Sequence, residues 1–249
     1  MLEPERHQII LDLLKKQNTV KLQELVELTN SSESTIRRDL SQLEKQKLLK
    51  RVHGGAARLQ NMLQEPTMVE KSSKNVQEKR LIAKYAASLI EEGDSVYIDA
   101  GTTPFEMIPF LPSDIVVVTN GLMHVEALLN RNIKTFLLGG YVKPTTKALV
   151  GRSAIESLKN FRFDKCFMGV NGIHPDYGFT TPDPEEATVK QLAITLTRDA
   201  YIVADESKFS EVTFARITDL KDAMIITNAI DKEIQSQYER ETTIKVVSA

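Results

Sequence analysis

Residues 31–57 read SSESTIRRDLSQLEKQKLLKRVHGGAA. The order of features in that stretch sets the fold of the N-terminal part of the chain. Ser32 to Ser34 offer short polar side chains where a helix must be capped, and Ile36, Leu40 and Leu43 then recur at helical spacing. Ser34, Thr35, Arg37 and Arg38 fall near the start of that helix and off its apolar stripe. Arginine can fork onto guanine, hydroxyls can reach phosphates or base edges, and a helix N-terminus favours phosphate. From Leu48 to Arg58 two short β-prone arms flank Gly54-Gly55, the signature of a hairpin. A hairpin bearing Lys50, Arg51, His53 and Arg58 directly after such a helix is a wing that can follow the DNA backbone or enter the minor groove.

Upstream, Ile9, Ile10, Leu13 and Leu14 mark one amphipathic helix inside Pro4–Lys16. Leu22, Leu25, Val26 and Leu28 mark a second, closed by Asn30, and Thr19 to Lys21 interrupts the two. Three helices followed by a basic hairpin predict a winged helix-turn-helix over residues 1–58. Its expected DNA contacts are Ser32, Ser34, Thr35, Arg37, Arg38, Lys50, Arg51, His53, Gly54 and Gly55.

Charge supports that division. The whole chain of 249 residues carries a formal charge of −2, yet residues 1–58 hold 11 basic against 8 acidic side chains. A basic module on an acidic body fits a nucleic-acid-binding domain attached to something else. With 41% hydrophobic residues the chain can bury a sizeable core, which excludes global disorder. The single cysteine, Cys166, cannot form an intramolecular disulfide. His7, His53, His124 and His174 are scattered without metal-ligand spacing, so neither a metal nor another cofactor is expected. No apolar run reaches the roughly 18 residues that span a bilayer, and the N-terminus lacks signal-peptide character, so a cytoplasmic protein without membrane contact is expected.

Leu59 to Ser73 holds a proline and few strong apolar positions, which predicts a linker over 59–73 and a second domain over 74–249. In that domain short β runs at Ser95–Asp99, Ile115–Thr119, Lys134–Leu138, Lys165–Val170, Ala200–Ala204, Ala223–Thr227 and Thr243–Val247 alternate with helical patterns. The helical patterns fall near Phe105–Leu111, Leu122–Asn130, Ala154–Asn160, Pro184–Thr197 and Asp231–Glu239, after one that covers Leu81 to Ile90. Apolar strands separated by helices predict an α/β domain with a mostly parallel sheet covered on both faces. Ligands of such sheets bind beyond the carboxyl ends of the strands. Those ends carry Asp99-Ala-Gly-Thr-Thr103, Asn120-Gly121, Gly139-Gly140, Asn171-Gly172 and Asp205 to Phe209. The glycine and hydroxyls of the first suit a phosphate, Lys208 can add positive charge, and Asp99, Asn120 and Asn171 can bind sugar hydroxyls.

Residues 31–57 resemble the winged helix-turn-helix of the DeoR family of bacterial sugar-metabolism repressors, through the S-x-x-T-I-R-R-D-L helix and the H-G-G-A wing. YIDAGTT, VVTNG, LLGGYV, GVNGIHPDYGFTTPDPEEATVKQ and VADESKF resemble the sensor domain of the same family. That domain is related in fold to ribose-5-phosphate isomerase and glucosamine-phosphate deaminase. The resemblance implies a repressor that binds double-stranded operator DNA and a phosphorylated sugar. It places Asp99, Gly101, Thr102, Thr103, Asn120, Gly140, Asn171, Glu185 and Lys208 in the effector pocket. Similarity runs nearest to fructose operon repressors, which implies fructose 1-phosphate as the effector. Paired half-sites call for a homodimer or higher oligomer. The rival is a sugar-phosphate isomerase or deaminase with a DNA-binding head, for which Glu185 or Glu186 can act as base. A constitutive DNA-binding protein with a structural C-terminal domain is the third reading.

Overall fold

The computed structural model describes residues 1–17, 19–46, 48–52, 54–58, 62–230 and 232–248. Pro4 lies in the first turn of α1 (Glu3–Gln17), where its missing N–H costs nothing. β1 (Thr19–Lys21) leads into α2 (Leu22–Thr29), which Asn30 terminates in the left-handed conformation, φ 47°. Ser32 caps α3 (Glu33–Lys45) by accepting from the Thr35 N–H. β2 (Leu49–Val52) and β3 (Gly55–Arg58) form the expected hairpin, and Gly54 turns it at φ 76°. Ile10, Leu14, Leu25, Ile36, Leu40 and Leu43 meet in one core beneath them.

The Thr19–Lys21 interruption is itself a strand. β1 pairs antiparallel with β3, giving the sheet order β1-β3-β2. Three residues are too few to show alternation, but Gly55 records the pairing. A Cβ there would stand 2.1 Å from the Val20 carbonyl oxygen, so only glycine lets β1 approach.

Contacts divide the chain into two compact units, Met1–Asn61 and Met62–Ala249. Residues 62–73, expected as linker, therefore belong to the second unit. They carry a helical turn, α4 (Met68–Ser72), fixed by a capping box between Thr67 and Glu70. Their anchorage is polar, so an apolar periodicity could not announce it.

The second unit continues with α5 (Val76–Ala87), β4 (Ser95–Ile98) and α6 (Thr102–Phe105). β5 (Val116–Thr119), α7 (His124–Leu129), β6 (Lys134–Leu137), β7 (Tyr141–Val142), β8 (Leu149–Val150) and α8 (Arg152–Leu158) follow. Then come β9 (Phe163–Met168), β10 (Gly172–His174), β11 (Gly178–Thr181), α9 (Pro184–Thr195) and β12 (Thr197–Val203). β13 (Ala215–Thr218), β14 (Met224–Thr227), α10 (Lys232–Tyr238) and β15 (Ile244–Val246) complete it.

The seven β runs read from sequence are the seven strands of one parallel sheet, ordered β15-β14-β12-β9-β4-β5-β6. Both faces are covered. Ile82, Ala86, Met107 and Phe167 pack on one side; Tyr97, Cys166, Met168 and Val189 pack on the other. Neighbours in a strand thus alternate between two apolar layers, which is why the strands read as continuous hydrophobic runs.

One helix differs in place. Where Phe105–Leu111 was expected, α6 starts at Thr102 and a 3-10 turn covers Ile108–Phe110. Pro104 sits in the first turn, where its ring is tolerated, and Pro109 prevents a continuous helix. The antiparallel sheet β10-β11-β13 and the hairpin β7–β8 have no counterpart in the apolar pattern. No helix among the described residues is long and apolar enough to cross a membrane.

Candidate functional site

In the first unit, α3 buries Ile36, Leu40 and Leu43 and leaves Ser34, Arg37 and Arg38 exposed. Asp39, almost fully buried, fixes the helix. It accepts from Arg6 Nε at 2.7 Å and Nη2 at 3.1 Å, tying α3 to α1. Arg37 folds back on Glu33, one turn away, at 2.5 Å, whereas no ion pair of Arg38 is seen among the described residues. Ser32 Oγ lies 3.0 Å from Ser34 Oγ and 2.8 Å from Thr35 Oγ1, so the three hydroxyls form one cluster at the helix start. Arg51 joins the wing to α3: its N–H donates to Glu44 Oε1 at 2.7 Å and its Nη1 to Ser41 Oγ at 2.9 Å. Lys50 is half-buried on β2, Gly54 forms the turn, Gly55 opens β3, and His53 lies outside the described residues.

In the second unit the loop after β4 has its geometry set by Asp99. The buried carboxylate accepts from the Gly101 N–H at 3.2 Å and the Gly169 N–H at 3.1 Å. Lys190 Nζ of α9 bonds both its oxygens at 2.6 Å and the Gly169 carbonyl at 3.0 Å. Asn120 bridges backbone on either side, accepting from Ala100 N at 3.0 Å and donating to the Leu149 carbonyl at 3.4 Å. Asp99 and Asn120, expected as hydroxyl binders, are thus engaged in holding the strand ends. Gly101 caps α6, and Thr102 and Thr103 are buried at its first turn. Asn171 is half-buried and accepts from Thr181 Oγ1 at 3.2 Å. At Gly140, φ 128°, a Cβ would meet the Val150 carbonyl oxygen at 2.5 Å.

Of the two α9 carboxylates, Glu185 is exposed and Glu186 is buried. Glu186 accepts from Thr146 Oγ1 at 2.7 Å and from Lys143 Nζ at 3.3 Å. Burial opposes its charge, but Lys190, Thr146, Lys143 and Lys71 hold its pKa below the ordinary value. Lys143 also pairs with Glu65 and, at 2.7 Å, with Asp183. Burial works against the ammonium, yet those bonds hold its pKa above the usual value.

A second group of charges lies beside α6. α4 and α5 both pack on that helix. Lys79 is 6% exposed and donates to the carbonyls of Lys71 and, at 2.7 Å, Lys74. Burial lowers its pKa, and Asp205, Lys208, Glu106 and Lys71 are its charged neighbours. Lys208, half-buried on a 3-10 turn, acts on Asp205, whose carboxylate also receives Asn75 Nδ2 at 2.9 Å.

Lys71, Lys79, Lys143 and Lys190 were not singled out from sequence, and Glu186 was named there only beside Glu185 as a base for the rival enzyme. One signal was available for α9: Glu186 and Lys190 stand four apart, in register with buried Ala193 and Ile194, so two charges interrupt an apolar stripe.

His124 lies against the same loop, with its imidazole pressed on Gly121, and is completely buried. Thr119 Oγ1 donates to the Ile98 carbonyl at 2.6 Å, so its 3.2 Å contact with His124 Nδ1 requires the proton on Nδ1. Nε2 is then a buried acceptor without a hydrogen-bond partner among the described residues. Burial pushes this histidine down to about 4. Cys166 is also fully buried, which raises its thiol to about 12 and keeps it protonated. No group of three or more potential metal ligands occurs among the described residues.

Comparison with known proteins covers both units. Residues 6–62 match the DeoR-like helix-turn-helix domain, and residues 74–229 match the DeoR C terminal sensor domain. The chain is 53% identical over 99% of both lengths to the uncharacterized HTH-type transcriptional regulator FruR of Bacillus subtilis. It is 31% identical, over 96% of each chain, to the lactose phosphotransferase system repressor of Staphylococcus epidermidis. It is also 33% identical to the putative aga operon transcriptional repressor of Escherichia coli O157:H7, over 91% of this chain and 87% of that one. Among solved structures, ribose 5-phosphate isomerase A from Neisseria gonorrhoeae aligns over 53% of each chain at 17% identity and a TM-score of 0.40. The eIF2B beta structure from Chaetomium thermophilum aligns over 68% of this chain and 54% of that one, at 14% identity and 0.47.

Proposed function

Because the chain belongs to the DeoR family of transcriptional regulators, we propose that it represses a sugar-utilisation operon, with fructose as the sugar, and leaves its operator when fructose 1-phosphate binds the second unit. The observation that carries this reading is the pairing, in one chain, of an exposed basic helix face with a lysine-rich strand end. The first meets a polyanion; the second meets a small anion. Ser34, Thr35, Arg37, Arg38, Lys50 and Arg51 contact operator DNA, with Ser32 fixing the helix start. Thr102, Thr103 and Lys208 hold the phosphoryl group, with Gly101, Gly140 and Asn171 lining the pocket and Asp99 and Asn120 shaping it. The protein acts in the cytoplasm as a homodimer or higher oligomer, because two heads are needed to read paired half-sites.

The second unit works by binding rather than turnover. Glu186, the buried carboxylate an isomerase would need as base, is bonded to Thr146 and paired with Lys143. An effector binds one arrangement of the repressor better than the other, and coupling of about 1–3 kcal/mol gives roughly 5–150-fold in DNA affinity. Operator release measured against fructose 1-phosphate, fructose and a panel of other sugar phosphates tests the reading. Lys208→Ala requires a higher concentration of fructose 1-phosphate for release than the natural chain. Release at the same concentration, or by fructose as readily as by its phosphate, refutes the assignment.

A further inference from the structure

The seven-stranded sheet ends in two edges of different character. In the middle of β15 stands Lys245, exposed and lying over the Tyr85 ring at 5.2 Å, while Ile244 and Val246 beside it are half-buried. A charge at the centre of a short edge strand deters pairing. β6 instead exposes Phe136 and Leu137. Its Lys134 stands at the start of the strand, with the ammonium 5.7 Å from the Phe136 ring, so the charge lies at one end of the edge.

The backbone of β6 is open as well. The Leu138 N–H bonds the Thr119 carbonyl of β5, so by alternation Lys134 and Phe136 also turn their N–H and C=O groups toward β5. Thr135 and Leu137 turn theirs outward, where no backbone partner meets them among the described residues. Ile133, next in that alternation, has its N–H taken by the Leu128 carbonyl.

Apolar surface flanks this edge. α7 packs on β6, and Leu122, Met123 and Leu129 at the two ends of α7 are exposed, as is Tyr141 of β7 just beyond. With Phe136 and Leu137, these side chains are 38–62% exposed. They offer roughly 600 Å² of surface at about 200 Å² per large side chain. A stable interface covers about 800 Å² on each partner, about 65% of it apolar in a homodimer. The patch is therefore of the size that a second copy of the chain needs. Single exposed leucines are ordinary; six large apolar side chains on adjoining elements mark an interaction surface.

We propose that β6 pairs antiparallel with the β6 of a second copy of this chain, across a two-fold axis at Phe136, and joins the two seven-stranded sheets into one. This inference rests on the homodimer reading above and gives the dimer its surface. The outward groups set the centre. Only a two-fold at Phe136 places both outward residues of each β6 against outward residues of the other. Thr135 then opposes the partner's Leu137 and Leu137 the partner's Thr135, each pair exchanging two N–H···O=C bonds. The two Phe136 side chains face one another as a non-hydrogen-bonded pair, the closer kind. Each has the Phe161 ring of its own chain 5.6 Å away, so four aromatic rings form the centre of the contact. The two Lys134 stand four residues apart along the strands, about 13 Å at roughly 3.4 Å per residue. No like charges oppose one another.

Sedimentation of the full chain at micromolar concentration, with circular dichroism as the check on folding, tests the interface. The natural chain sediments as a dimer. Thr135→Pro removes an outward N–H that the isolated sheet does not use, and Leu137→Lys puts a charge in the middle of the edge; each raises the dimer dissociation constant at least tenfold. The register has its own test, which decides the matter if either variant fails to fold. Oxidation by diamide, which takes up the two thiol hydrogens, links Phe136→Cys across the axis into a covalent dimer. Leu137→Cys, offset by two residues from its own copy, stays unlinked, and the buried Cys166 takes part in neither. A folded Thr135→Pro or Leu137→Lys that dimerises as tightly as the natural chain, or a Phe136→Cys that diamide leaves unlinked, overturns the inference while the dimer reading stands. If the natural chain is monomeric both free and on operator DNA, the two fall together.

Discussion

The two units handle positive charge in opposite ways. α3 carries Arg37 and Arg38 on the exposed side of an apolar stripe, where water screens them until a polyanion arrives. The second unit takes Lys79, Lys165 and Lys190 almost wholly out of water. An exposed cation costs little and is worth little to stability until DNA binds. A buried one must be compensated within the fold, so its neighbours are as constrained as the lysine itself. The head can therefore change its surface without risk to its core, while the pocket cannot change a charge without disturbing the strand ends.

That contrast is broken most directly at Lys190. Its ammonium holds both oxygens of Asp99, which in turn positions the N–H groups of Gly101 and Gly169. Lys190→Met leaves a buried carboxylate with backbone donors alone and costs about 3–5 kcal/mol. Thermal unfolding of the second unit drops by about ten degrees, at roughly 2–4 °C per kcal/mol for a unit of this size. A shift below two degrees would mean that Asp99 relaxes into water and that the pair is not a keystone.

His124 sharpens the comparison through pH. Its folded pKa, about 4, lies below the ordinary histidine value of 6.5. Between those values the unfolded chain binds a proton that the folded chain refuses, so stability rises with pH across that window and falls on acidification. The loss from pH 7 to below 4 is about 3 kcal/mol at 1.36 kcal/mol per unit. Asp183, Glu186 and Asp205 titrate below the ordinary carboxylate range, so their contribution is present above it and is lost only at still lower pH. Urea denaturation at pH 7 and 5.5, both above the carboxylate range, therefore isolates the histidine. His124→Gln flattens that slope; an unchanged slope would assign the acid sensitivity elsewhere.

In the head the corresponding effect is on binding rather than folding. Arg38→Ala costs about 1–3 kcal/mol of operator affinity if it reads a base, or lowers the salt slope by about one if it meets a phosphate. Its effect on stability stays within about 0.5 kcal/mol because the side chain is exposed. Arg37, already paired with Glu33, gives the smaller loss in affinity. Operator titrations at two salt concentrations separate the cases, and equal affinity in both variants would remove α3 from the interface.

These differences explain what the residues announced. The seven parallel strands were legible because each is apolar on both faces, and α3 because its stripe and its basic side separate cleanly. β1 was hidden in three residues, β10 and β11 in a polar, glycine-containing hairpin, and β13 in a short strand whose pairing with β11 is long-range. The strand-end loops were visible as glycines and hydroxyls, but the engagement of Asp99 was not. Its partner Lys190 is 91 positions away. A side chain's type is local; whether it is already occupied depends on the fold. The start of the second unit was least legible, since residues 62–73 are held by a capping box, by the Met68 N–H donating to the Thr145 carbonyl at 3.0 Å and by ion pairs of Glu65, none of which leaves a periodic trace.

The smallest expected effect falls where the head's two kinds of hydroxyl meet. Ser32 is the N-cap of α3, accepting from the Thr35 N–H at 3.3 Å, whereas Ser34 is exposed two positions further on, inside the helix. Ser32→Ala removes the cap and costs about 1 kcal/mol of stability in the first unit. Ser34→Ala leaves stability within about 0.5 kcal/mol, and its effect appears only when DNA is present. Because Ser32 also shares hydrogen bonds with Ser34 and Thr35, its loss releases their hydroxyls to rotate, so operator affinity falls slightly in both variants. Chemical denaturation followed by the helical signal, set beside operator titration, tells them apart. Equal stability in the two variants would show that the cap contributes nothing and that Ser32 belongs to the DNA-reading face like its neighbours.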